Sequence, residues 1–280
     1  MFNTLISVTD LVPHVSDASW VVCDCRHDLA DTEAGRRVYA ASHIPGARFL
    51  HLDEDLSAPK TGRNGRHPLP DPDRLARHLG KLGIGNSSQV VAYDASGGYY
   101  AARLWWMLRW LGHDAVAVLD GGWNAWIKAG LPATTTPSRY EPTRFARGAA
   151  LVGGVTAEDI LRDAPAAPHR LLDARAANRF RGENETLDPV AGHIPGATNR
   201  FFQLNLEADG TFKPAAALKQ EFRELLGAHS PAQVTHYCGS GVTACHNLLA
   251  MEIAGLTGSR LYPGSWSEWC SDVSRPVATG

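Results

Sequence analysis

Cys238 stands where a thiol could become a nucleophile. It follows the apolar run QVTHY at 233–237 and opens the loop Cys238-Gly239-Ser240-Gly241-Val242-Thr243. Beyond the loop, apolar residues recur at spacings of three and four, predicting a helix over 242–254. The cysteine is thus expected at a strand end, in a glycine-bearing turn, ahead of a helix. Gly239 and Gly241 permit tight curvature and positive φ. A tight loop aims N–H groups inward as an anion-binding nest, and a helix N-terminus adds about half a positive charge. Both favour thiolate over thiol. The same donors suit an anionic sulfur, a sulfonate or a phosphate. A lone cysteine after a strand is more often core, but the glycine loop and helix start argue here for chemistry.

The other four cysteines offer less. Cys23 and Cys25 alternate along a predicted strand, one to each face. A Cys-x-Cys pair can hold a metal, but no second ligand pair is suitably spaced. No metal and no cofactor are expected. Cys245 and Cys270 read as core or surface residues. Few cysteines, odd in number, fit a reducing compartment better than a disulfide framework.

The elements around Cys238 occur twice. The string HIPGA stands at 43–47 and again at 193–197, 150 positions apart. An Asp-x-Arg precedes each copy, Asp24-Cys25-Arg26 and Asp173-Ala174-Arg175. A Gly-Trp element follows each, DGGWNAW at 120–126 and PGSWSEW at 263–269. Three landmarks in one order at nearly constant offset indicate a duplicated unit. Strand-like runs recur as well, at 20–24, 89–93 and 115–119, then at 170–173, 233–237 and 259–262. Helical patterns lie between them, at 73–82 behind Asp71 and Pro72, at 100–111 and at 242–254. Strands alternating with helices predict an α/β fold, with a mainly parallel sheet flanked by helices in each half. The turn-rich segment 130–154 reads as the linker, giving domains of 1–138 and 139–280. Aligning QVVAY at 89–93 with QVTHY puts Asp94 opposite Cys238, so the first half has no thiol in its loop.

Length and composition agree. At about 150 residues per domain, 280 residues suggest two. Hydrophobic residues at 44% and charged residues at 20% are ordinary globular usage. A formal charge of −2 gives no global basic field for nucleic acid or anionic membrane. No apolar run approaches a membrane span, and the N-terminal residues lack the basic-then-apolar form of a secretory signal. A cytoplasmic location is expected, and oligomeric state is not readable.

Asp-x-Arg, HIPGA and GxW-x-x-W in both halves, with one cysteine loop in the second, make the chain resemble a tandem-domain rhodanese along nearly its full length. The loop CGSGVT looks like the mercaptopyruvate sulfurtransferase branch, because the thiosulfate branch usually carries basic residues inside it. The resemblance implies that Cys238 takes a sulfane sulfur from a small-molecule donor and holds it as a persulfide. A thiol acceptor such as thioredoxin, or cyanide, would then remove it. The N–H groups of Gly239, Ser240, Gly241, Val242 and Thr243 would stabilise the thiolate and persulfide. A Ser, His, Asp relay maps onto Ser240, onto His67 in RHPLP and onto Asp53 in FLHLDEDL. The interval between Asp53 and His67 is a few residues longer than in animal members. Arg179, in RFRGE, falls at the family's carboxylate-binding Arg-Phe. The resemblance leaves Arg181 and Arg103 without assigned roles; Arg103 reads as a cleft residue or as a helix-surface or interdomain charge. A second carboxylate-binding arginine is expected before the second GHIPG, but ENETLDPVA at 183–191 has none.

HIPGA reads as a turn device, its proline fixing φ and its glycine freeing it. Arg26 and Arg175 read as structural ion-pair partners. Trp123, Trp126, Trp266 and Trp269 read as packing. Three rivals compete. A rhodanese-fold phosphatase would need Cys-x5-Arg, but the sixth residue after Cys238 is Ala244, and the loop holds no cation to clamp a dianion. A serine hydrolase elbow would need glycine at 238. The third is a non-enzymatic sulfur-carrier or regulatory module, and the intact cysteine loop argues against a purely structural role.

Overall fold

The computed structural model describes residues 1–163 and 170–280. Two compact units form. The first comprises residues 1–58, 70–151 and 206–212; the second comprises 59–69, 152–205 and 213–280. The chain therefore passes between them at 151–152, thirteen residues beyond the boundary expected from composition. The reason is backbone pairing. Thr143 N–H donates to Gly80 O, Gly148 N–H to Leu111 O and Leu151 N–H to Arg109 O, which holds most of the expected linker against the first unit. Two short segments, 59–69 and 206–212, each belong to the unit opposite to their place in sequence.

The first unit holds strands β1 (Leu5–Ile6), β2 (Trp20–Asp24), β3 (Arg48–Phe49), β4 (Gln89–Tyr93) and β5 (Val116–Leu119). Its helices are α1 (Val8–Leu11), α2 (Ala34–Ala41), α3 (Pro72–Lys81), α4 (Ala101–Trp110) and α5 (Gly122–Lys128). The second unit holds β6 (Gly153–Gly154), β7 (Arg170–Asp173), β8 (Thr198–Asn199), β9 (Val234–Tyr237) and β10 (Arg260–Leu261). Its helices are α6 (Ala157–Asp163), α7 (Ala177–Arg181), α8 (Ala215–Leu226), α9 (Ala244–Ile253) and α10 (Ser265–Trp269). The sheet orders are β1-β5-β4-β2-β3 and β6-β10-β9-β7-β8, the same topology twice, and every strand pair is parallel.

Central strands of such sheets are covered on both faces and read as continuous apolar runs. All five residues of β4 and all four of β9 are buried. Helix α3 starts where Asp71 accepts the Arg74 N–H and Pro72 opens the first turn. α4 is buried over 101–108 and α9 over 244–251, so neither has a polar stripe.

The three repeated motifs converge in each unit. Buried Asp24 accepts the Arg26 backbone N–H and guanidinium, and also Tyr93 O–H at 2.6 Å. Tyr93 in turn accepts the Ile44 N–H of HIPGA, and Arg26 Nη2 donates to Ser42 O, just before it. Trp123 packs under the Arg26 guanidinium at 4.5 Å. In the second unit Asp173 pairs with Arg175, Arg175 Nη2 donates to Gly192 O, Ile194 N–H donates to Tyr237 Oη, and Trp266 carries the guanidinium at 4.9 Å. The duplicated motifs are one buried ion-pair knot, present in both copies. The first tryptophan of each pair thus does more than pack, since it seats an internal cation.

Candidate active site

In the second unit, β9 delivers Cys238 to the start of a loop that ends at Thr243, the residue before α9. Gly241 N–H donates to Cys238 Sγ at 3.1 Å. Gly241 has φ +77°, and a Cβ there would lie 2.3 Å from Pro263 O, so only glycine can curl this N–H onto the sulfur. Gly239 differs from the sequence expectation: it is not among the residues with positive φ. A Cβ at Gly239 would meet Nη2 of Arg66 at 2.6 Å, with Nη1 and Nη2 of Arg179 at 3.6 and 3.7 Å.

The Cys238 backbone is held from α10. Trp266 N–H donates to Cys238 O at 2.9 Å, and Ser267 N–H to Gly239 O at 2.9 Å. Cys238 N–H donates to Ser265 Oγ at 3.1 Å, and Ser265 Oγ donates to Tyr262 O. Ser265 has φ +53°, the one non-glycine residue with positive φ among the described residues. Such strain costs about 1–3 kcal/mol and concentrates at functional positions. Sequence reading passed over it, although aligning DGGW with PGSW shows a serine where the first copy has Gly122.

Ser240 and His67 meet. His67 Nδ1 lies 2.7 Å from Ser240 Oγ, both side chains buried, across 173 positions of sequence. Histidine arrives on the 59–69 segment, which belongs to the second unit. Asp53 lies in the first unit, its Oδ2 3.8 Å from His27 Nε2 and its N–H donating to His51 Nδ1. His27, His51 and Asp53 gather closely enough to suggest a metal, yet His51 is already committed. Its Nδ1 accepts the N–H groups of Asp53 and Glu54, and its Nε2 pairs with Thr32 O.

Arg179 stands beside Gly239 of the loop. Its Nε and Nη2 pair with Glu185 and its Nη2 with Asp188. Arg181 points elsewhere, to Glu183 at the surface. Arg103 is fully buried in α4, so the surface reading is wrong. Sequence reading missed Arg66, which ion-pairs with Asp188 and whose N–H donates to Ser267 Oγ. The loop itself holds no cation, but two guanidiniums stand over it. An anion at this loop would therefore meet guanidiniums, contrary to the expectation from the loop sequence alone. Asp188 is raised by burial, an effect partly offset by Arg66. Burial also raises Glu185, but the Leu187 N–H and Arg179 outweigh it and hold the carboxyl low.

Of the other thiols, Cys23 and Cys25 are both buried; residues two apart along extended backbone share a face, so the expectation of one thiol to each face does not hold. Burial pushes Cys23 up to about 12, Cys25 well above its ordinary value and Cys270 up to about 11. Cys245 is buried in α9 with Sγ 3.4 Å from Gly241 O. No helix is long and apolar enough to cross a membrane among the described residues.

Comparison with known proteins bears on the family and the fold. The rhodanese-like domain family matches at 7–129 and again at 156–272. A Pseudomonas aeruginosa protein named "Probable 3-mercaptopyruvate sulfurtransferase" is 49% identical over 99% of this chain and 98% of its own length. Human 3-mercaptopyruvate sulfurtransferase is 37% identical, covering 90% of this chain and 83% of the human protein. Mouse thiosulfate sulfurtransferase is 36% identical over 91% of this chain and 84% of its own. The structure of the 3-mercaptopyruvate sulfurtransferase SseA from Escherichia coli superposes with a TM-score of 0.82 at 28% identity, over 95% of this chain and 99% of SseA. Two matched domains, two copies of one sheet and full-length relatives all point the same way: the chain belongs to the rhodanese family.

Proposed function

We propose that the protein is a sulfurtransferase that moves a sulfane sulfur from 3-mercaptopyruvate to a thiophilic acceptor through a persulfide on Cys238. The observation that carries this reading is the curled loop, in which the Gly241 N–H meets the Cys238 sulfur beside the Ser240–His67 pair. The Cys238 thiolate attacks the donor's thiol sulfur. The C3–S bond breaks, its electron pair leaves as pyruvate enolate, and Cys238 keeps the sulfur as a persulfide. The enolate needs one proton, and Ser240, in contact with His67, is positioned beside the nucleophile to pass it. Asp53 takes the third relay position on the resemblance. On the resemblance, the N–H groups of Gly239, Ser240, Val242 and Thr243 join that of Gly241 in stabilising the thiolate and persulfide. An acceptor thiolate, on thioredoxin or a small molecule, or cyanide then attacks the outer sulfur and releases the Cys238 thiolate. This is covalent catalysis with ping-pong order.

Thiosulfate is the alternative donor, because relatives of both names match. It would give the same persulfide, with sulfite as the leaving group. The loop sequence and Arg179 favour mercaptopyruvate. Side-by-side kcat/KM with the two donors tests the reading. A higher value for 3-mercaptopyruvate is expected, and a clear preference for thiosulfate would overturn it.

A further inference from the structure

We propose that Ser265 is a positioning residue for the nucleophile: its hydroxyl is inserted between the ends of β9 and β10 and sets the place of Cys238. The proposal rests on the Cys238 sulfur-transfer reading and deepens it. β9 and β10 pair in parallel, with Thr235 opposite Arg260 and His236 opposite Leu261. The ladder runs one bond further, from Tyr262 N–H to His236 O at 2.9 Å. In a parallel ladder the next bond would run directly from Cys238 N–H to Tyr262 O. Here a hydroxyl stands between them. Ser265 Oγ accepts Cys238 N–H at 3.1 Å and donates its own proton to Tyr262 O at 2.9 Å. It takes the place a bridging water would take, but it is covalently fixed. Its one proton is committed to the carbonyl, so it acts on the backbone of Cys238 and not on the sulfur.

The insertion matters for the sulfur. Cys238 Sγ accepts Gly241 N–H at 3.1 Å, and that contact depends on where the Cys238 backbone stands. A direct bond to Tyr262 O would draw this backbone toward β10 and change the reach of the sulfur to the loop N–H, which favours the thiolate. The turn carries a cost for the insertion. Ser265 is buried at φ +53°, in the left-handed region where a Cβ is disfavoured. The first copy shows the alternative. Its counterpart, Gly122, has φ +55°, and a Cβ there would lie 2.2 Å from Asp94 O. The two turns share a conformation, but only the copy with the nucleophile makes room for a side chain. A serine kept where glycine is favoured, with its hydroxyl on the reacting residue, fits backbone strain held for function.

The test uses the full-length protein with Ser265→Gly and Ser265→Ala. Glycine removes the hydroxyl and relieves the backbone, whereas alanine removes the hydroxyl and keeps the strain. KM and kcat are measured with 3-mercaptopyruvate. The rate at which iodoacetamide alkylates the Cys238 peptide is measured at fixed pH and needs no donor. Melting temperature is read alongside. In both variants kcat and the alkylation rate should fall about tenfold, as for a weakened hydrogen bond to a charged group, with KM within about twofold. Ser265→Gly should melt above Ser265→Ala although both are equally slow. In Ser265→Gly, kcat and alkylation within about twofold of wild type, or a loss carried by KM at unchanged kcat, would overturn the assignment. If Ser265→Ala does not fold, Ser265→Gly carries the test alone. Wild-type protein that is alkylated at Cys238 but does not turn over 3-mercaptopyruvate would overturn the donor reading and leave Ser265 to be judged on alkylation alone.

Discussion

The loops after β4 and β9 leave equivalent strands of equivalent sheets, and their first residues are held alike. Trp123 N–H donates to Asp94 O at 2.8 Å, as Trp266 N–H does to Cys238 O at 2.9 Å. They differ in what fills the loop. In the first unit the Asp94 carboxylate turns inward and accepts the N–H groups of Ser96, Gly98, Tyr100 and Ala101 at 2.7–3.0 Å. Burial raises this carboxyl, and the four N–H groups oppose that rise. The first loop thus supplies its own anion. In the second, the nest turns on a sulfur, with Gly241 N–H on Sγ. One scaffold, a strand end feeding a curled loop and a helix, can close on an internal carboxylate or present a nucleophile. The Asp-x-Arg knot is common to both units, so it belongs to the scaffold and not to the chemistry.

The strongest way to break this comparison is at the nucleophile. Cys238→Ser should lower turnover at least about 10⁴-fold, the usual cost of losing a nucleophile, while Cys245→Ser stays active. Adding Asp94→Cys to Cys238→Ser should restore nothing. Recovery in the double variant, measured with a sulfide-release assay, would make the two loops interchangeable.

Next is the self-filled loop. Asp94→Ala leaves four N–H groups without their acceptor and should destabilise the protein by about 3 kcal/mol. Urea denaturation followed by circular dichroism measures it. A loss below about 1 kcal/mol would mean that the carboxylate is not what holds the first loop.

Ser240→Ala and His67→Ala sharpen the contrast from the catalytic side. Each should lower kcat with 3-mercaptopyruvate about ten- to hundredfold, in the range of a lost proton transfer. The effect with thiosulfate should be smaller, because sulfite leaves without needing that proton. Equal effects on both donors would remove the relay.

The smallest expected effect separates the strands themselves. β9 carries buried His236 where β4 has Ala92, and burial holds His236 down to about 3. A histidine that stays neutral in the folded state but protonates when unfolded contributes stability that is complete above about pH 6.5 and lost as pH falls toward its folded value. Between pH 7 and 5 the second unit should therefore lose about 2 kcal/mol through His236. Hydrogen exchange of β9 and β4 amides at the two pH values would show it, and His236→Ala should flatten the difference. Equal protection changes in both strands would contradict it.

Much of the scaffold is legible in sequence. β2, β4 and β7 begin and end where their apolar runs do, because a buried parallel strand imprints both faces on its residues. The two-residue edge strands β1 and β6 are too short for any period to show. β6 falls inside a glycine-rich stretch that reads as linker. Cys238 is legible because strand, loop and helix start are contiguous around it. Arg66 and Ser265 are not read in the same way. Arg66 earns its place from a contact with a loop 172 positions away, and an isolated loop arginine carries no local signal. Ser265 is visible only as a departure between the two copies, and its backbone strain has no signature in residue type. The crossing of 59–69 and 206–212 is likewise a property of long-range packing.

The central claim is that Cys238 carries the transferred sulfur. Intact and peptide mass spectrometry of the full-length protein after incubation with 3-mercaptopyruvate, without acceptor, tests it most directly. The account predicts a gain of about 32 Da, one sulfur atom, localised to the peptide containing Cys238 and removed by cyanide. No gain under turnover conditions, or a gain localised to Cys245 or another cysteine, would contradict it.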